Sequence, residues 1–310
     1  MQNKGVNPSR ALPAATVILA REYQAELQVY LLKRHAKSGF MAGNYVFAGG
    51  ILDPEDREFT VWKDHVDLDP ADLSSRLGGG LRAEEILAFG VAAIRETLEE
   101  AGVFLASQAN RRAEDLRRID SLRVAGDLPK EWFLNLVVSE GWTLALSALS
   151  RWSHWITPAL MKRRYDTRFF LACMPPGQRC SPDSHEITHG RWASPKKGLM
   201  GNITGQIPLS PPTMVMLQEI LKYPTLEALK KAALTRMWGT PNSPRLIALD
   251  KGAVLIEPWD AEYGRPDIEI DARKLEKALL PAGEPFSRIW YRKGLWRPIA
   301  SYVYCPIFQR

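Results

Sequence analysis

The chain has 310 residues, of which 45% are hydrophobic and 25% charged, with a formal net charge of +6. That is the composition of a water-soluble globular protein, and without a run of 18 apolar residues no helical membrane span is expected. The positive charge suits an anionic ligand, a phosphorylated nucleotide or a nucleic acid, and does not choose between them.

The first ten residues are polar and lack the apolar core of a signal peptide, so residues 1–10 read as a flexible N-terminus. Residues 307–310 show no retention or peroxisomal tripeptide. Residues 14–20 (AATVILA) and 27–32 (LQVYLL) read as strands around a polar turn. Residues 39–50 form a loop rich in glycine and aromatics, GFMAGNYVFAGG. Scattered charge follows, up to a Gly78-Gly79-Gly80 breaker. A helix then runs from Ala83 or Phe89 to Ala101, and two more are expected over 109–122 and 129–140. Strands resume at 152–157, 168–173 and 188–193. Ser210-Pro211-Pro212 opens a helix to about Lys222, with serine as cap and proline in the first turn. Another spans 225–234. Two hairpins close the chain, 245–258 around Asp250-Lys251-Gly252 and 286–299 around Lys293-Gly294.

The helix ending at Ala101 carries the densest signal. At ~100° per residue, Glu96, Glu99 and Glu100 fall within about 100° of arc, nearly opposite Val91, Ile94, Leu98 and Ala101. A Glu-rich face is ordinarily a solvated surface. Here Arg95 can reach Glu99 at i,i+4, and Gly102 stands where a left-handed terminator is wanted. Like charges so close are best tolerated under a cation, and hard divalent ions take oxygen ligands.

With Gly49-Gly50 upstream, the segment from Arg95 to Val103 (RETLEEAGV) resembles the second half of the Nudix box, Gly-x5-Glu-x7-Arg-Glu-U-x-Glu-Glu-x-Gly-U, U being aliphatic. The first half departs: Gly50 lies 45 residues before Arg95 rather than 14, a difference of 31. Asp56, Glu84 and Glu85 all stand open as the counterpart of the early glutamate. A box split in this way resembles the subgroup of the peroxisomal coenzyme A diphosphatase and its bacterial relatives. GFMAGNYVFAGGILDPED, WITPALMKRRYDTRFFLA and LSPPT extend the likeness over residues 12–260. The coenzyme A motif of such hydrolases, Leu-Leu-Thr-x-Arg-Ser-x3-Arg-x3-Gly-x3-Phe-Pro-Gly-Gly, is kept at Arg34, Gly43, Phe47, Gly49 and Gly50. His35, Gly39 and Ala48 replace its serine, second arginine and proline.

The resemblance implies a mixed α/β chain folded as a Nudix-type α/β/α sandwich. The Nudix domain would span 11–208, with an insertion over about 54–84, and a helix-plus-hairpin extension, 209–310, would pack on it. It implies pyrophosphate hydrolysis of a nucleoside diphosphate derivative with Mg²⁺ or Mn²⁺. Coenzyme A or acyl-coenzyme A is the leading substrate, and ADP-ribose or a dinucleotide the alternative. The implied metal ligands are Glu96, Glu99 and Glu100, with Glu96 a further ligand or the general base, and Arg95 completes the catalytic set by orienting a carboxylate. Gly49 and Gly50 allow the backbone to approach the metal site closely and are counted with the substrate-binding residues. Arg34 and Phe47 are substrate-binding positions. Arg163, Arg164 and Arg168, beside Tyr165, Phe169 and Phe170, form a basic aromatic run that suits phosphate and adenine, and Arg164 and Arg168 are counted with the substrate-binding residues. Glu186 is an alternative base.

Several features read as structural. His185 and His189 have metal-ligand spacing but no third partner. Trp132, Trp142, Trp152 and Trp155 read as core or contact residues rather than a nucleic-acid platform. The three cysteines, Cys173, Cys180 and Cys305, match neither a zinc site nor a disulfide framework, so a reducing cytoplasm is expected. The expected partner is a small-molecule nucleotide, without membrane or nucleic acid; a homodimer is compatible with the sequence. A non-catalytic module that senses a nucleotide or binds RNA is the competing class, and the intact Arg95-Glu96-x2-Glu99-Glu100 core argues against it.

Overall fold

The computed structural model describes residues 9–108, 112–126, 128–183 and 187–301. Residues 1–8, His185, Glu186, Cys305 and 307–310, on which some expectations rest, lie outside them. In chain order the elements are β1 (Leu12–Tyr23), β2 (Glu26–Arg34), β3 (Tyr45–Val46), β4 (Ala48–Ile51), α1 (Phe59–Trp62), α2 (Pro70–Leu73) and α3 (Ala83–Ala101). Then come β5 (Ala106–Ser107), α4 (Ala113–Ala125), α5 (Trp132–Glu140), β6 (Thr143–Leu144), β7 (Ser150–Ile156), β8 (Tyr165–Cys173) and β9 (Ile187–Ala193). The remainder is α6 (Pro195–Thr204), α7 (Pro211–Ile220), α8 (Leu226–Leu234), β10 (Arg245–Leu249), β11 (Gly252–Ile256), β12 (Arg288–Arg292) and β13 (Leu295–Ile299).

A mixed sheet runs β3-β2-β1-β8-β7, with β4 added to β1 and β9 to β2. β1 and β8 are parallel, and the other pairs are antiparallel. β1 reads as a near-continuous apolar run because both its faces are covered. Ala15, Val17 and Leu19 join the α3 side, whereas Ile18 and Ala20 join a second cluster with Leu199 of α6, Met214 and Leu217 of α7 and Leu229 of α8. Alternation on β8 likewise sends Phe170 and Phe169 into opposite clusters. This is the expected three-layer α/β arrangement.

α3 begins where the Glu85 carboxylate accepts the Arg82 backbone N–H at 3.0 Å, and its acidic first turn, Glu84 and Glu85, suits the helix dipole. It ends at Gly102, whose φ of 67° is left-handed. It is not a surface helix. The segment between β4 and α3 contributes Trp62, Leu68, Leu73 and Leu77 to its cover, and α4 and α5 add Ile119, Phe133 and Val137. Glu100 is consequently 4% exposed, which rules out the solvated-face reading of the acidic stripe.

The helix α6 was not anticipated from the sequence. Gly198 and Gly201 lower its propensity, but a Cβ at Gly198 would meet Leu217 Cδ1 at 2.7 Å. The glycine therefore lets α6 sit close on α7.

The C-terminal strands form their own antiparallel sheet, β10-β11-β12-β13. Leu255, Ile289 and Trp296 of that sheet share the buried cluster of α6, α7 and the main sheet. Asn202 Nδ2 donates to the Trp296 carbonyl at 2.9 Å. At β7, Ile156 N donates to Asn242 O, and Asn242 N donates to His154 O, each at 2.8 Å.

Candidate active site

Arg95 is the hub. Buried on α3, its guanidinium holds Asp56 through Nε at 3.0 Å and Nη2 at 2.9 Å. Nη1 donates to Glu96 at 2.9 Å and to Glu99 at 2.8 Å, and Nη2 donates to the Ile51 carbonyl at 2.9 Å. Asp53 lies 3.5 Å from Nη2. Burial works to lower the Arg95 pKa, but Asp56, Glu96 and Glu99 outweigh it and raise it, so the residue stays cationic.

This resolves the split motif. Asp56, 1% exposed, is the acid that faces Arg95. Glu85 caps the N-terminus of α3, about 16 Å from Glu96 along the helix axis, and Glu84 sits in that same first turn. The intervening segment keeps Asp56 in place by folding back, with the Trp62 indole N–H on the Glu55 carbonyl at 2.8 Å.

The other carboxylates are held one by one. Gly49 N–H donates to Glu100 Oε2 at 2.9 Å, and Arg34 Nη1 stands 3.8 Å from Glu100 Oε1. Trp132 at the start of α5 donates its indole N–H to Glu99 Oε1 at 2.8 Å. Arg123 of α4 donates to the Glu99 backbone carbonyl at 2.8 Å. Gly50 must be glycine here, because a Cβ would fall 2.4 Å from Glu96 Oε1. Burial raises the Glu96 carboxyl well above its ordinary value; the charges of Glu100 and Glu99 add to the rise, and Arg95 opposes it. Glu99 is raised by burial too, against Arg95 and Trp132.

A cavity of about 400 Å³ opens on this cluster, and Glu96, Glu100, Gly49, Gly50, Arg34 and Phe47 line it. The volume falls within the usual range for a small-molecule site. Two expected substrate residues are placed elsewhere. Arg164 ties backbone together, donating to Thr157 O at 3.1 Å and Ser9 O at 2.6 Å. Arg168 points to the opposite face of β8, because the strand begins at Tyr165 and alternation gives Tyr165, Thr167 and Phe169 to the cavity. Its guanidinium stacks 5.4 Å from Trp238 and 5.8 Å from Phe89. Asp56 could have been chosen from its five-residue spacing to Gly50, but Trp132 carried no signal beyond its type.

Could these residues hold a divalent cation? Among the described residues no three acids, imidazoles or thiolates form a ready metal cage. Mg²⁺, however, is commonly bound by one or two carboxylates, water and substrate phosphate rather than by a full protein cage. Hard oxygen donors, raised in pKa at Glu96 and Glu99 chiefly by burial, fit that kind of ion. Nudix hydrolases as a group use divalent metals.

The model of the NUDT19 Nudix domain matches residues 10–220. The chain is 29% identical over 315 residues to the acyl-coenzyme A diphosphatase NUDT19 of Gallus gallus, covering 85% of this chain and 82% of that one. It is 28% identical over 334 residues to the acyl-coenzyme A diphosphatase NUDT19 of Homo sapiens, covering 91% and 89%. Among solved structures, a NUDIX hydrolase from Alicyclobacillus acidocaldarius aligns with a TM-score of 0.55 at 21% identity, over 75% of this chain and 99% of that one, a likeness of fold. Among the described residues no helix is long and apolar enough to cross a membrane. With the split box closed by Asp56 and the family match covering its whole length, the chain is a Nudix hydrolase and belongs to the NUDT19 Nudix domain family.

Proposed function

We propose that this enzyme hydrolyses the pyrophosphate bond of coenzyme A or acyl-coenzyme A, giving adenosine 3′,5′-bisphosphate and phosphopantetheine or its acyl form. The observation that carries the reading is one cavity holding Glu96, Glu100 and Arg34 together, in a chain similar over most of its length to relatives named acyl-coenzyme A diphosphatase. Glu96, Glu99 and Glu100 would hold Mg²⁺ or Mn²⁺; such an ion, when bound, neutralises phosphate oxygens and lowers the pKa of water.

The chain's own residues do the rest. Arg95 fixes the carboxylates of Glu96 and Glu99, and the Gly49 amide fixes that of Glu100, so the charged centre needs little reorganisation when substrate arrives. Glu96, with its raised pKa, is the group suited to take the proton of the attacking water on a carboxylate oxygen. Arg34 offers a guanidinium to a phosphate oxygen at the same wall. Phe47, 2% exposed, floors the cavity beside it.

One departure favours a second reading, ADP-ribose or a dinucleotide: Gly39 replaces the second arginine of the coenzyme A motif. Yet a Cβ on Gly39 would fall 2.4 Å from Arg163 Nη1, so a guanidinium lies against that position from the β7–β8 connection. This returns a cation to the loop and supports coenzyme A. The free thiols Cys173 and Cys180 are in keeping with a cytoplasmic setting.

The deciding experiment incubates the protein with Mg²⁺ or Mn²⁺ and coenzyme A, acyl-coenzyme A, ADP-ribose, NADH or capped RNA, and identifies products by mass. Release of adenosine 3′,5′-bisphosphate from coenzyme A compounds is expected. Release only from another member overturns the substrate, and salt-sensitive RNA binding without turnover overturns the catalytic reading.

A further inference from the structure

The cavity has a wall that the hydrolytic motif does not account for. Pro244, Leu246, Leu255 and Trp296 line it, and all four come from the C-terminal segment, beyond the matched residues 10–220. Leu255 is buried in the second core cluster with Trp296, and Leu246 packs partly exposed against it. The carboxylates enter the same cavity from α3, on the other side of the main sheet. One space therefore joins a charged centre to an aliphatic surface.

The two linings ask for a ligand with two chemistries. The pyrophosphate belongs at Glu96 and Glu100. The four C-terminal residues carry no charge, and three of them are aliphatic or cyclic hydrocarbon surfaces. A purine would leave its exocyclic amine facing such a wall without a partner; an alkyl chain would not. Met41 and Met161 also line the space. Flexible, polarisable thioether side chains suit a ligand of variable length.

We propose that the C-terminal sheet is the element that selects the acyl group: the hydrocarbon arm of a thioester substrate packs on Leu246, Leu255 and Trp296. This rests on the coenzyme A reading above. Each methylene buried on such a wall strengthens binding by about fourfold, so selectivity among thioesters resides in the extension while the bond-breaking groups stay on α3.

The test uses the full chain and compares kcat/KM for free, acetyl-, octanoyl- and dodecanoyl-coenzyme A. Leu246→Trp fills the space from a partly exposed position. The ratio of dodecanoyl- to free coenzyme A is expected to fall at least tenfold. Trp296→Leu enlarges the space and is expected to move the ratio the other way; thermal melting confirms that each variant is folded. An equal loss on all four substrates would assign the wall to the nucleotide or to folding, and an unchanged ratio in both folded variants would remove the wall from selection. Either overturns the proposal while the coenzyme A activity of the wild type stands. A wild type that cleaves none of the four overturns the substrate reading itself, and the acyl wall with it.

Discussion

Two buried arginines organise acids in this molecule, and they do so to opposite effect. Arg288 on β12 meets Asp260 at 2.8 and 2.9 Å and Glu262 at 2.5 Å. Ser287 donates to Asp260 at 2.6 Å, and Arg265 meets Glu262 at 2.6 Å. Burial works to raise the Asp260 carboxyl, but Arg288 and Ser287 outweigh it and hold it below its ordinary value. Hydrogen bonding to Arg288 lowers Glu262 as well. At α3, Arg95 and Arg34 face Asp53, Asp56, Glu96, Glu99 and Glu100, and Glu96 and Glu99 are raised. Where the charges match, an ion cluster is a tie between loops. Where anions are in surplus, it has capacity for one more cation.

The sharpest way to break this contrast is to remove one anion from the surplus. Glu99→Gln or Glu100→Gln is expected to abolish hydrolysis while circular dichroism and melting stay native; wild-type-like turnover in either would sink the metal-site proposal. For Glu96→Gln the expected loss is about 10²–10⁴-fold in kcat, the span of a lost general base.

Next in size come the cations. Arg95→Met leaves Asp56 buried and uncompensated, and about 3–5 kcal/mol of stability is expected to go, together with activity. Arg288→Met should destabilise on the same order, yet the folded fraction should retain wild-type kcat. Denaturant unfolding paired with rates per folded molecule separates the two, and equal catalytic loss in both variants would erase the distinction.

pH sharpens it further. Glu96 is raised above 4.5, so the folded chain binds its proton more tightly than the unfolded one. Its contribution is therefore greatest at low pH and is lost as pH rises from 4.5 through the raised value. Asp260, lowered from 3.8, contributes above that pH and loses its contribution as pH falls through its folded value. Glu96→Gln should flatten the alkaline fall in melting temperature. Added Mg²⁺ should raise the wild-type melting temperature more at pH 8 than at pH 5; an equal rise at both would contradict a site made of raised carboxylates.

The smallest effect is expected at Trp132→Phe. It deletes one hydrogen bond to a carboxylate, worth about 1.5–3 kcal/mol, so kcat should fall about tenfold and the melting temperature by a few degrees.

What could be read from the sequence divides along physical lines. α3 was legible because its spacing, its arginine and its terminal glycine all lie within one helix. Asp56 was not singled out, since its partner Arg95 is 39 positions away and only the folded segment between them makes the choice over Glu85. Arg168 was misdirected by strand parity: β8 starts three residues before it, and alternation turns it from the cavity. Arg164 looked like a phosphate ligand from composition alone, whereas two backbone carbonyls occupy it. α6 was hidden because its glycines answer to tertiary neighbours, Gly198 to Leu217 of α7 and Gly201 to Ile207, and not to the local helix pattern.

The two backbone bonds between Asn242 and β7 have a consequence for how the protein can be cut. β7 ends the main sheet, and an uncovered terminal strand offers its amides and carbonyls to any other chain. A fragment stopped at residue 220 would bare that edge, along with Trp152 and Trp155 beneath α8 and its neighbours, which are 1% and 4% exposed in the whole chain. Such a fragment, expressed for its hydrolytic motif, would recruit copies of itself as a substitute for the missing segment and precipitate.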